Sequence, residues 1–285
     1  SEQQLARHAI KEYVAALETE NSPLNPDKLP KALSPTDPAA AWTTRGRNKV
    51  MFAYSLNYLI DMESTVIVDV EATPTRISKE VDAAETMVQR TEERFALKPE
   101  RIAGDVAYGT GEMLGWLVAH DIEPHIPVWD RTEVAAKGKF SRNDFSYDKE
   151  RDLYVCPGGK ELKTSGTVHD GTTIKYIAKR SDCRQCPLKP QCTTGRERRV
   201  SRDVNQEARD YTQALMETDA YRQSNIDRKQ IERLFGEAKS QLSMTRLRLR
   251  GLSGARDEFL LTATVQNLKR LVERVAIPPP RAVIA

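Results

Sequence analysis

Asp227-Arg-Lys-Gln-Ile-Glu-Arg-Leu-Phe-Gly-Glu-Ala-Lys239, with Asn225 just ahead of it, is the stretch on which the reading of this chain turns. Asn225, Arg228, Glu232 and Lys239 are spaced by three, four and seven residues, so their side chains fall close to one face of a single helix. Ile231, Leu234, Phe235, Ala238 and Leu242 form the opposite stripe, which faces a core. A carboxylate flanked by cations on a half-buried helix points to metal and phosphate chemistry.

Around that helix the chain is basic. Between Arg222 and Arg274 there are 12 Lys/Arg against 6 Asp/Glu, and Arg246, Arg248 and Arg250 alternate with leucines. The whole chain of 285 residues carries a net charge of only +3, so it is no general polycation. The local excess fits a polyanion partner, and equally a solvated charged face. The length suffices for one large domain or two smaller ones. No apolar run approaches the ~20 residues of a membrane span, and no charged-then-apolar leader opens the chain. The expectation is therefore a cytoplasmic protein with no membrane partner. The first residue is Ser, which suggests a trimmed chain or part of a longer one.

Working outward, residues 2–20 read as an amphipathic helix followed by a Pro- and Asn-rich loop. The runs 50–60 and 65–71, joined by Asp61-Met-Glu-Ser64, read as a hairpin. Residues 78–97 read as a helix with Ser78 as N-cap and Val81, Ala84, Met87, Val88 and Phe95 inward. A strand over 101–106, a helix over 111–120 and a strand over 122–128 follow. This order predicts an α/β fold with a mixed sheet flanked by helices. The expected segments are an N-terminal helix and linker (1–33), a core (34–128), a cysteine-containing insertion (129–202), C-terminal helices that complete the core (203–275) and a tail (276–285).

Asp105 stands in Ile102-Ala-Gly-Asp-Val-Ala-Tyr108, where a strand ends in a carboxylate and turns through small residues. Open α/β sheets gather functional groups at that edge; an Asp that merely caps the next helix is the competing reading. Asp105-x-Ala107-Tyr108 resembles the second catalytic segment of DDE insertion-sequence transposases. Arg228, Glu232 and Lys239 resemble the third, Tyr-x2-Arg-x3-Glu-x6-Lys, with Asn225 in place of the Tyr. The resemblance spans about Ser34 to Leu271. It implies an RNase H-like fold, DNA as partner, a dimer on paired ends, and Mg²⁺ or Mn²⁺ held by three acidic residues.

Those residue types suit the chemistry. Two hard divalent ions about 3.5–4 Å apart can stabilise the attacking and leaving oxygens of a phosphodiester, and Mg²⁺ prefers carboxylate oxygens. Arg228 and Lys239 would neutralise phosphate, as would Arg246, Arg248 and Arg250; ion pairing within the helix is the bland alternative for the first two. By the resemblance, Asp37 in Ser34-Pro-Thr-Asp-Pro38 is the first acid, with Asp61 and Asp69 as competitors. Asp37 also fits simple turn chemistry, Asp61 reads as a hairpin-turn residue and Asp69 as a strand residue facing solvent.

Cys156, Cys183, Cys186 and Cys192 supply four thiols, two of them in a Cys-x2-Cys spacing. A structural Zn²⁺ site is the expectation, with unliganded thiols and a redox pair as alternatives. The reading that results is a DNA transposase that hydrolyses a phosphodiester at an element's end and then joins the freed 3′-hydroxyl to target DNA. Its rivals are a zinc-containing DNA-binding protein that has lost cleavage, and a metal-dependent nuclease without strand transfer. With only a short stretch ahead of Asp37, DNA binding of little sequence preference is expected.

Overall fold

The computed structural model describes residues 2–19, 32–45, 49–75, 77–128 and 139–275. The Pro- and Asn-rich loop, the first part of the expected insertion and the tail 276–285 lie wholly or mostly outside the described residues. By internal contacts the chain divides into two units, residues 1–99 with 223–285, and residues 100–222. These limits differ from the expected segment boundaries: the stretch 34–128 is shared between the units.

The first unit opens with helix α1 (Glu2–Thr19), then strands β1 (Ala41–Arg45), β2 (Lys49–Ile60) and β3 (Ile67–Pro74), then helix α2 (Ile77–Phe95). The three strands form an antiparallel meander in the order β1-β2-β3. Asp61 makes the β2–β3 turn: its Oδ2 accepts the Ser64 N–H at 2.8 Å, and the Ser64 side chain first, then the turn's backbone N–H groups, hold its carboxyl below the ordinary Asp value against burial. β3 alternates as a half-buried strand should. Ile67, Val70 and Ala72 point into an apolar core, while Asp69 and Glu71 meet Arg90 of α2 at 2.7 and 2.8 Å. Asp69, expected to face solvent, is thus tied into an ion-paired cluster. α2 begins at Ile77, so Ser78 lies inside the helix and not at its cap, and Phe95, expected inward, is exposed in the last turn.

In the second unit β4 (Arg101–Ala103) and β5 (Glu123–His125) pair in parallel, with α3 (Gly111–Ala119) between them in sequence. The buried Met113, Leu114 and Leu117 give α3 its inner face. Strands β6 (Ser146–Asp148), β7 (Leu153–Val155), β8 (Glu161–Lys163), β9 (Val168–His169), β10 (Thr173–Ala178) and β11 (Arg199–Asp203) build an antiparallel sheet in the order β11-β10-β8-β7-β6, with β9 also on β10. Short helices α4 (Arg180–Arg184) and α5 (Lys189–Cys192) lie between β10 and β11 in sequence, and α6 (Gln206–Leu215) follows and packs on α3. Phe145, Tyr154, Leu162, Tyr176, Ala178 and Val200 form this sheet's core. Both pairing senses of a mixed α/β protein are present, on separate sheets among the described residues.

Helix α7 (Asp219–Ser240) and helix α8 (Gly251–Val275) end the described chain. Leu234 of α7 and Ala255, Phe259 and Ala263 of α8 complete the core under β3. The Asn267 amide accepts from the Ile67 N–H at 2.9 Å and donates to its carbonyl at 2.8 Å, satisfying the start of β3 with a side chain. Fully buried Gln266 donates to the Leu234 carbonyl and accepts from the Tyr58 hydroxyl. No helix among the described residues is long and apolar enough to cross a membrane.

Candidate active site and cysteine cluster

α7 presents the faces its sequence predicts. Leu234 and Ala238 are buried, and Phe235 stacks on Tyr58 with ring centroids 5.2 Å apart. On the polar side Glu232 is exposed, and its Oε1 lies 3.3 Å from Nη1 of Arg228, one turn earlier. Arg228 is more buried than its partner, and its Nε has no hydrogen-bond partner among the described residues. Lys239 is exposed in the last turn, where a cation complements the helix dipole.

Asp105 follows β4 by two residues, outside the strand expected to carry it. It caps the short 3-10 turn Val106–Tyr108, its Oδ1 accepting the Ala107 N–H at 2.8 Å. The cap and the exposed sheet edge, weighed as alternatives from sequence, are therefore one arrangement. The carboxylate is exposed, and Ala107 supplies its one protein hydrogen bond among the described residues.

Asp37 is held quite differently. It is buried, with Oδ1 accepting from the Tyr54 hydroxyl at 2.5 Å and Oδ2 from the Gly251 N–H at 3.1 Å. Its own N–H donates to Ser34 Oγ at 3.2 Å. Burial, and then the Asp37 carboxylate, push the Tyr54 phenol far above its ordinary value, so it remains a donor. Gly251 has φ +84, and a Cβ built there would meet the Glu12 carboxylate of α1; glycine alone allows both that conformation and that approach. Tyr54 and Gly251 are the site residues that sequence reasoning missed. A lone Gly between Arg250 and an apolar helical run was the available signal for the second; nothing singled out the first.

Asp37 and Glu232 belong to the first unit and Asp105 to the second. Arg246 and Arg248 are exposed and Arg250 is half-buried, in the irregular stretch ahead of α8. Their alternation does not form a strand: the backbone N–H groups of Arg248 and Leu249 both donate to Glu258 Oε1, at 2.7 and 2.6 Å. That contact fixes the stretch and leaves the two exposed arginine side chains outward.

All four cysteines are free and line one cavity in the second unit, beside Asp182 and Arg198. A Cβ built at Gly158 would lie 3.7 Å from the Sγ of both Cys156 and Cys186. The Lys160 N–H points at Cys156 Sγ, 3.4 Å away. Burial raises the Cys192 thiol above its ordinary value against the pull of Arg198, and the other three thiols add to the rise. The donor set suits a soft ion. Even so, no group of three or more His, Cys, Asp or Glu among the described residues is spaced to hold a metal. The zinc centre expected from sequence is therefore not supported by the spacing of the four thiols among the described residues.

No match was found among curated proteins or among solved structures. Residues 155–272 match the family described as transposase DDE domain, a stretch that includes Glu232, Arg228, Lys239 and all four cysteines, and that leaves Asp37 and Asp105 outside. The family implies an RNase H-like fold, DNA as substrate and divalent metal ions in the reaction. Over residues 155–272, less than half of its length, the chain is similar to the DDE transposases.

Proposed function

We propose that the chain is a DNA transposase which hydrolyses a phosphodiester at an element's end and transfers the strand to target DNA. The observation that carries this reading is the exposed Glu232, set beside Arg228 and Lys239 on α7 within the matched family segment. Asp105 supplies a second exposed carboxylate. Hard carboxylate oxygens suit Mg²⁺ or Mn²⁺, and Asp105 and Glu232 are the residues proposed to hold it. When bound, such ions activate the attacking oxygen and stabilise the leaving one. Arg228 keeps Glu232 oriented until a phosphate or ion competes for it. Lys239, Arg246, Arg248 and Arg250 draw the DNA backbone in by charge, which makes binding weaken steeply with salt. By the family resemblance the working form is a dimer on paired ends.

Asp37, proposed from its Thr-Asp-Pro setting as the third acid, is buried and already accepts from Tyr54 and Gly251, so a metal would have to reach the remaining lone pairs of a carboxylate held by the fold. That observation favours a second reading, in which the chain holds DNA without cutting it. The cysteine cluster is proposed to hold structural zinc after its thiols draw together.

Plasmid nicking in Mg²⁺ or Mn²⁺ separates the readings, with the intact protein beside Glu232→Gln and Asp105→Asn. Nicking lost in both variants supports the carboxylate site, and removal of one such ligand is expected to lower the rate at least 100-fold, about 2.7 kcal/mol. Equal behaviour of all three proteins would sink the catalytic reading and put DNA binding in its place.

A further inference from the structure

Gly236 lies inside α7, exposed to solvent. Beyond its chain neighbours and the nearby turns of its own helix, no atom lies within 4 Å of where its Cβ would be. Other described glycines have a reason within the chain. Gly159, Gly166, Gly171 and Gly251 have positive φ, and each of the rest except Gly236 would bring a Cβ within 4 Å of a neighbour. A glycine inside a helix weakens it relative to alanine, because more backbone entropy is lost on folding. At 236 neither packing nor backbone conformation asks for one. Arg233 and Lys239 stand three residues before and after it, Ser240 one turn on and Glu232 one turn back, all exposed. The Ser240 hydroxyl donates to the Gly236 carbonyl at 2.9 Å, which draws that short side chain onto the helix. The result is a notch of bare backbone with a cation on each side.

We propose that this notch seats the sugar–phosphate backbone of a DNA strand, so that Gly236 sets how closely the strand lies to Glu232. Glycine lets a ligand approach a backbone that any side chain would hold off. Arg233 and Lys239 supply charged donors for phosphate oxygens, and Lys229, exposed one turn before Arg233, supplies a third cation. No ion pair among the described residues ties any of these three. Ile226, Lys229, Arg233, Gly236 and Ser240 recur at spacings of three and four residues along this exposed side, with no acid and one apolar residue among them. That composition favours a polyanion over a protein face, whose centre is poor in charge. Glu232 borders the notch, and Arg228 at 3.3 Å meets its charge. The seat presupposes the DNA substrate proposed above. Within it Gly236, Arg233 and Lys229 are positioning residues.

Gly236→Leu keeps the charge and supplies a better helix former. It is expected to raise the urea midpoint of the full chain, yet to weaken binding of a short mixed-sequence DNA duplex, with no divalent ion added, on the order of 10-fold. Gly236→Ala is expected to raise the midpoint with a smaller loss of binding. Arg233→Gln is expected to lower the slope of log affinity against log salt by about 1, the share of one phosphate contact. A Leu variant that binds the duplex as the parent does overturns the seat and leaves the notch to a protein partner. A midpoint that falls in both Gly236 variants, up to loss of the fold, also overturns it, because the glycine is then required from within the chain. A parent chain that does not bind the duplex removes the seat and the DNA substrate together. A parent that binds but does not nick plasmid removes the catalytic reading alone.

Discussion

At Asp37 the Tyr54 hydroxyl and the Gly251 amide converge on one buried carboxylate, joining the approach to β1, the middle of β2 and the first residue of α8. Hydrogen bonds to a charged acceptor contribute roughly 1.5–3 kcal/mol each. Asp37→Ala is therefore expected to destabilise the protein by ~3 kcal/mol, read as a lower urea midpoint with the slope unchanged. A variant of parental stability that had lost metal-dependent nicking would instead return Asp37 to the metal. The place of Glu232 on a polar helix face and of Asp105 in the turn after a strand was legible from sequence, because spacing and near neighbours set both locally. Asp37 was legible only as an unusual turn. Its partners lie 17 and 214 residues away, and nothing in Thr-Asp-Pro encodes them.

Helices α7 and α8 are joined by a polar cluster as well as by their apolar core. Glu237 accepts from Lys269 and from Gln266 Nε2, and Arg270 lies 3.9 Å off. The Lys269 ammonium, aided by Gln266, holds the Glu237 carboxyl below its ordinary value against the opposing effect of burial. A lowered folded-state pKa adds stability that is fully present above the unfolded-state value and is lost as pH falls through the folded one. Between those two values stability is expected to drop with acid at up to ~1.4 kcal/mol per pH unit. Glu237→Gln should flatten that part of the acid limb in denaturation curves recorded at successive pH values; an unchanged limb would refute the assignment.

The elements themselves were largely legible. The hairpin of β2 and β3, α2, α3 and the two faces of α7 follow from periods of 2 and 3.6 and from turn residues. The misses have local causes. Phe95 fits the apolar period of α2 but falls at its last residue, where it is exposed. The strand expected to reach Asp105 stops early because the Asp side chain turns the backbone into a 3-10 cap. Arg246, Arg248 and Arg250 alternate like a strand, but Glu258 takes the backbone N–H groups that a strand partner would need.

At the scale of the molecule, the division into 1–99 with 223–285 and 100–222 was not legible. Periodicity reports faces, not which distant face each will meet. The cysteines read as one cluster on the strength of their types, and they do share one cavity of the second unit. If zinc closes that cluster, it adds stability to the sheet β7–β11 and has no direct effect on β2–β3. A strong zinc chelator is then expected to speed amide exchange across residues 153–203 and leave 49–74 unchanged. Elemental analysis showing no zinc, or exchange rising equally in both stretches, would count against it.

The Asn267 clamp on β3 and the Gly251 anchor on Asp37 set an order of events during synthesis. β3 leaves the ribosome about 200 residues before the end of α8 does, roughly 10–40 s at ordinary elongation rates. During that interval the face of β3 carrying Ile67, Val70 and Ala72 has no helix to cover it, while residues 100–222 can already close their own core. The nascent chain is thus exposed at a hydrophobic strand for as long as translation lasts. A pause between codons 223 and 275 would lengthen the window in which chaperones or sticky neighbours find it.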